Sequence, residues 1–193
     1  MCFRNTSLTG DRRCHSDIQA FDKFPKFTFT TGDHPALEGL CAIYVADDGV
    51  AWAGGDYGLV RYDGSAWSAS DAPGEAPPVG EWGADIHGIA QAPDGSLWLV
   101  AVGDLYRLDD GQWSRFNWPD HYASTLAVGP DGDIWVGDDN ALGRFDPSSG
   151  AWQTFTMDDG LVHYSVDAIH VTPDGVVWIG TDGGVSRYAP EGE

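Results

Sequence analysis

Imidazoles, paired carboxylates and loop aromatics are the groups in this sequence whose types and spacing could do chemistry. His87, His121, His163 and His170 are the histidines beyond residue 41, and Asp109-Asp110, Asp138-Asp139 and Asp158-Asp159 are pairs that could hold a hard cation. No histidine falls in a metal-ligand spacing, and the sequence has no phosphate loop, nucleophile elbow, zinc pair or complete Asp-rich calcium loop. Adjacent aspartates read as turn residues facing water. The expectation is no catalytic residue, no metal and no cofactor. The aromatics point elsewhere. Tyr57, Trp82, Trp118, Tyr122 and Tyr164 are interspersed with His87, His121, His163, Asp139 and Asp167. Aromatic planes beside carboxylates and amides suit a sugar or a cationic ligand, through stacking and short hydrogen bonds. These ten residues are the ligand-binding candidates.

The elements that would position them come from a repeat. One block is written four times: Asp48-Gly49-x-x-Trp52, Asp94-Gly95-x-x-Trp98, Asp131-Gly132-x-x-Trp135 and Asp174-Gly175-x-x-Trp178. Nine residues after each Trp stands an arginine, Arg61, Arg107, Arg144 or Arg187, followed by a bulky Tyr62, Leu108, Phe145 or Tyr188. Steps of 46, 37 and 43 residues match a four-stranded blade. In each copy an inner strand runs into the Asp-Gly turn, a second strand follows, and a two-residue hairpin such as Asp182-Gly183 or Asp56-Tyr57 returns the chain as a third. Trp67, Trp113 and Trp152 mark an outer strand. The predicted fold is all-β, a β-propeller of four-stranded antiparallel blades, with repeats at about 38–70, 84–117, 121–157 and 163–188 within residues 21–190. Counting round the hairpin pairs Trp178 with Arg187, and Trp52 with Arg61 likewise. The Trp and Arg sets therefore read as structural, stacked as cation–π pairs worth about 0.5–2 kcal/mol. Trp178 is expected to be a buried blade residue.

Residues 1–20 match nothing in the repeat. Phe24 to Gly32 lines up with Trp152 to Gly160, an outer strand and its exit, while the fourth copy stops after its third strand at Tyr188. Strand 24–31 is expected to complete that last blade and close the ring; the alternative is an excerpt of a larger propeller.

Charge narrows the partners. The formal charge is −20; the first 40 residues carry five charges of each sign and the rest 25 acidic and 5 basic. Such a field repels phosphate backbones and anionic lipid, which argues against nucleic acid and direct membrane binding. Met1 to Ala20 is polar and does not read as a secretory signal, and no apolar run approaches the roughly 20 residues of a membrane span. The chain is then either cytoplasmic or a piece of a longer exported protein. Cys2, Cys14 and Cys41 follow no framework spacing and read as reduced thiols.

The run Met157-Asp158-Asp159-Gly160-Leu161, then Val166-Asp167-Ala168-Ile169, Pro173-Asp174-Gly175-Val176-Val177-Trp178-Ile179-Gly180-Thr181 and Gly184-Val185-Ser186-Arg187-Tyr188 resembles the two-component regulator propeller repeat. That resemblance implies a ligand-sensing propeller of a bacterial signalling protein, usually extracytoplasmic, with further blades in a longer parent chain. Val128-Gly129-Pro130-Asp131-Gly132-Asp133-Ile134-Trp135, with Gly143-Arg144-Phe145-Asp146, is similar to repeats of the streptogramin lyases. This second likeness implies metal-assisted lysis of cyclic peptides, for which a base and a divalent cation would be needed. A scaffold for protein assembly is the third reading, expected if an exposed face is flat and apolar. In a propeller the connections between blades and the second-to-third-strand hairpins share one face. Cys41, His87, Ser124 and Asp167 fall at one equivalent position near the start of the inner strand, and they are expected at the channel mouth.

Overall fold

The computed structural model describes residues 29–70, 84–119 and 121–189. The chain is all-β, a β-propeller whose four blades are consecutive antiparallel meanders. Blade 1 holds β1 (Leu40–Val45), β2 (Ala51–Gly55), β3 (Gly58–Tyr62) and β4 (Trp67–Ala69). Blade 2 holds β5 (Ile86–Gln91), β6 (Leu97–Ala101), β7 (Asp104–Asp109) and β8 (Gln112–Phe116). Blade 3 follows with β9 (Thr125–Val128), β10 (Ile134–Gly137), β11 (Leu142–Asp146) and β12 (Ala151–Phe155). Blade 4 has three strands among the described residues, β13 (Val166–Val171), β14 (Val177–Thr181) and β15 (Gly184–Tyr188). Two compact units result: blade 1 with the stretch leading into β5, and the remainder of blades 2 to 4.

Each blade turns on the same chemistry. Gly49, Gly95, Gly132 and Gly175 have φ between 84° and 89°, the left-handed region that a side chain resists. The aspartate before each glycine caps the turn, Asp48 and Asp94 accepting from the backbone N–H two residues on at 2.9 Å. This is why Asp-Gly is written four times.

The two-residue hairpins then leave no freedom of register, and Trp52 pairs with Arg61, Trp98 with Arg107, Trp135 with Arg144 and Trp178 with Arg187. Arg107 and Arg144 each lie 5.6 Å from the indole they face. A partner that the sequence reading did not foresee completes the set. Arg107 donates to Asp94 at 2.8 Å and Arg144 pairs with Asp131 at 3.6 Å, tying the third strand to the Asp-Gly turn; Arg144 also binds Asp133. Burial pushes the Asp133 carboxyl up against the opposing pull of Arg144.

Alternation gives every blade two faces, here called front, toward the preceding blade, and back, toward the next. On β10, Ile134 and Val136 point forward into a core shared with Trp98, Val100 and Leu105 of blade 2, while Trp135 points back into one shared with Val177 and Ile179 of blade 4. Both of these junctions share a set of three aromatics, to which Trp118 and Trp152 add at the first. Trp98 meets Phe116 at 5.5 Å and Phe145 at 5.9 Å; Trp135 meets Phe155 at 5.8 Å and Tyr188 at 5.4 Å. A back-face Trp and an outer-strand Phe thus close on an aromatic from the third strand of the following blade.

Trp178 corrects the expectation of burial: it is 43% exposed, whereas Trp98 and Trp135 are 1% and 3% exposed. The reason is positional. A back-face Trp is buried by the blade that follows, and among the described residues nothing follows blade 4.

At the other end, residues 24–28 of the expected clasp strand lie outside the described residues. Phe29 is described, and it packs on Tyr62 at 4.8 Å and Trp67 at 5.5 Å, both in blade 1. Beside it, Thr30 N–H donates to Asp33 at 2.7 Å, the same cap that Thr156 N–H makes with Asp159 at 2.9 Å. Phe29 therefore corresponds to Phe155, two residues later than the sequence alignment placed that equivalence.

Candidate functional site

Blades are hooked in series on the face of the hairpins. Ala84 N–H donates to Asp56 C=O at 2.7 Å, Ala123 to Gly103 at 2.9 Å and Val166 to Asp138 at 2.8 Å. Each bond runs from the entry of one inner strand to the hairpin of the blade before it. Connections and hairpins are thereby held together by main chain, leaving their side chains to other uses.

The connection 118–124 is the most elaborated. Trp118, expected on the surface, is 1% exposed and belongs to the core between blades 2 and 3, with its indole N–H on Thr154 Oγ1 at 3.2 Å. Leu161 fills the equivalent place between blades 3 and 4. Trp118 is thus a packing residue, and truncating it would empty a core instead of trimming a surface. Stacked on it at 4.1 Å and 16° lies His121, whose Nδ1 is 2.7 Å from Asp138 Oδ2. Asp138 is 1% exposed and fully used: Oδ1 accepts from Asn140 N–H at 2.7 Å and Ala141 N–H at 2.6 Å, closing the hairpin, while Oδ2 holds the connection. His121 therefore fastens connection to hairpin. A burial of this kind is sustained only because every lone pair aimed inward has a donor.

The dipeptide recurs at His163-Tyr164, where the His163 ring lies over Gly183 of the β14–β15 hairpin and its Nδ1 accepts from Ser165 N–H at 3.2 Å. In both places the histidine is partly buried and the tyrosine is presented: Tyr122 is 53% exposed and Tyr164 is 51% exposed. Tyr122 leans over Gly103, where a Cβ would meet its ring at 2.3 Å, so that glycine is required by close approach as well as by its φ of 80°. Tyr164 stacks on His163 at 4.1 Å. Asp139 is exposed at the hairpin beside His121.

The other candidates scatter. Tyr57 is exposed at the tip of the β2–β3 hairpin of blade 1. His87 is half-buried in β5, and Trp82 lies outside the described residues. Cys41 and Asp167 do share one position: each is the extra residue of a β-bulge, between Leu40 and Ala42 and between Val166 and Ala168. Cys41 is disulfide-bonded, which corrects its reading as a reduced thiol. Among the described residues no three His, Cys, Asp or Glu side chains converge as metal ligands, and no helix is long and apolar enough to cross a membrane.

A family model described as the two component regulator propeller matches residues 160–183, within the run Met157 to Tyr188 that carries the resemblance. No curated protein matches the chain. Among solved structures, the chain is similar to the extracellular domain of a hybrid two component system from B. thetaiotaomicron, at 16% identity and TM-score 0.71, over 86% of this chain and 24% of that one. It is also similar to the extracellular domain of a one component system from the same organism, at 20% identity and TM-score 0.69, over 82% and 22%. Virginiamycin B lyase from Staphylococcus aureus aligns at 18% identity and TM-score 0.59, over 80% and 57%. The chain thus spans about a quarter of the sensor chains and just over half of the lyase. At these identities the likeness is one of fold.

Proposed function

We propose that this chain is a non-catalytic, ligand-binding portion of a sensor propeller of the two-component type, reading its ligand on the face of the connections and hairpins. The single observation that carries this reading is the pair Tyr122 and Tyr164. Both stand half-exposed in corresponding connections, one and two residues before the main-chain hook, each behind a histidine that fixes its loop. A rigidly mounted, half-exposed aromatic loses little conformational freedom when a ligand stacks on it. The family match at residues 160–183 and the fold shared with two extracellular sensor domains support the signalling context. An acidic chain of net charge −20 adds attraction for cationic ligands, and neutral sugars suit the aromatic planes equally.

The test is a thermal-shift screen against neutral oligosaccharides and linear polyamines, followed by calorimetric titration of any hit with Tyr122→Ala and Tyr164→Ala. Binding should fall about five- to tenfold in each variant, the loss of one stacking contact of roughly 1–1.5 kcal/mol, with the melting temperature nearly unchanged. A hit that binds both variants as well as the parent would place the site elsewhere.

A further inference from the structure

The two ends of the described chain are unlike each other, and together they make one whole. At the junctions of blades 2 and 3 and of blades 3 and 4 the aromatic set is a back-face Trp, an outer-strand Phe and a third-strand aromatic of the next blade: Trp98, Phe116 and Phe145, then Trp135, Phe155 and Tyr188. The back of blade 4 carries only the first member, Trp178, 43% exposed between its strand partners His170 and Arg187. The front of blade 1 carries the other two, Phe29 and Tyr62, packed together at 4.8 Å with Trp67 of its own outer strand beside both, and among the described residues no back-face Trp meets them. Apolar exposure follows the same division. Ile43 and Val45 on the front of β1 are 64% and 61% exposed, whereas Ile169 and Val171, at the same register in blade 4, are partly buried against blade 3. On the back of blade 4, Val185 is 65% exposed.

We infer that the back of blade 4 docks the front of blade 1 of a second copy of this chain, head to tail, with Trp178 of one protomer completing the Phe29–Tyr62 pair of the other. The occupant follows from continuity with the junctions already formed. The surface that covers Trp98 or Trp135 is a blade front offering a third-strand aromatic, and blade 1 offers such a front, with Ile43 and Val45 exposed on it. Arg187 gains the neighbour that Arg144 has in Tyr188 across the junction of blades 3 and 4. Such a contact is heterologous: the two surfaces differ, so association either closes a ring of copies or continues. Equal net charges oppose it over long range, so it should strengthen with salt.

The experiment measures the mass of the full chain by sedimentation velocity from about 1 to 100 μM, a range that resolves micromolar dissociation constants, in about 1 M NaCl, where the Debye length is about 3 Å. The parent should associate as concentration rises. Val185→Glu, blocking only the back, and Ile43→Glu, blocking only the front, should each be monomeric alone. Mixed in equal amounts they should form a dimer that grows no further, because one supplies an intact front and the other an intact back. Both substitutions replace exposed side chains, and unchanged circular-dichroism melts confirm that each variant is folded. A parent that stays monomeric at every concentration overturns the inference, whichever other surface then covers Trp178, a further blade of a longer chain included. Variants that still self-associate, or a mixture that stays monomeric, overturn it equally.

Discussion

Truncating the repeated tryptophan in two different blades separates what the strand contributes from what the neighbouring blade contributes. Trp98 is 1% exposed, lies within a core of ten buried residues, contacts Phe116 and Phe145, and places its indole N–H on Ser96 Oγ at 3.0 Å. Removing roughly 200 Å² of mostly apolar side chain from such a site forfeits about 5 kcal/mol at about 25 cal/mol per Å². Relaxation of the walls brings the expected loss for Trp98→Ala to about 3–5 kcal/mol. Trp178 has the same strand, the same Arg partner and the same turn, but it is 43% exposed and encloses no cavity when removed. Scaling the area contribution by the buried share, with no cavity to add, leaves about 2–3 kcal/mol for Trp178→Ala. Urea unfolding of both variants at low micromolar protein, where association does not contribute, reads the difference as a shift in midpoint at constant slope. Equal losses would refute the reasoning, because burial would then be a property of the repeat position and not of the following blade.

Three further outcomes are expected. Asp138→Ala removes the acceptor for two hairpin amides and for His121, and should cost about 2–3 kcal/mol, with faster hydrogen exchange at Asn140 and Ala141. Hydrogen bonds from Ser65 and from Ser148 and Ser149 hold the Asp63 and Asp146 carboxyls down to about 2, below the ordinary carboxylate value near 3.8, so their contribution is complete above pH about 4 and disappears as pH falls toward 2; Asp146→Asn should flatten the acid limb of the melting-temperature profile. Gly132→Ala meets no atom within 4 Å yet forces a side chain to a φ of 89°, and should lose about 1–2 kcal/mol, whereas Gly180→Ala, in ordinary contact with Ala168 and with no positive φ, should lose less by thermal melting.

Strand order, turn positions and register were legible because they rest on local chemistry. Asp-Gly sets each turn, and a two-residue hairpin then dictates that residue 178 opposes 187. Burial was not legible, since whether Trp178 or Trp98 is covered depends on a blade that its own strand does not encode. Trp118 was misplaced for a related reason: it and Leu161 both lie thirteen residues before the repeat aspartate, but the residue type changes between them, so the shared core position carries no sequence signature. The two-residue slip at the N-terminal end has a plain origin, because Phe27-Thr28-Phe29-Thr30 looks the same after a shift of two. The spacing that sets each repeat arginine thirteen residues after an aspartate is visible in all four copies, and in blades 2 and 3 it becomes a contact. Of the candidate site, which member of each His-Tyr pair is fastened and which presented was not legible, because it depends on Asp138 and Gly183, which approach only in the fold.

The bonds from Ala84 to Asp56, Ala123 to Gly103 and Val166 to Asp138 use only amide and carbonyl groups. Substitution in the intervening loops therefore does not erase them, provided the chain reaches from one blade to the next. Connections as different as 118–124 and 161–166 satisfy the same requirement with different residues in the core. A lineage that inherits this arrangement can exchange the residues displayed on the hairpin face almost at will, and new recognition can evolve there while the blades beneath remain in register.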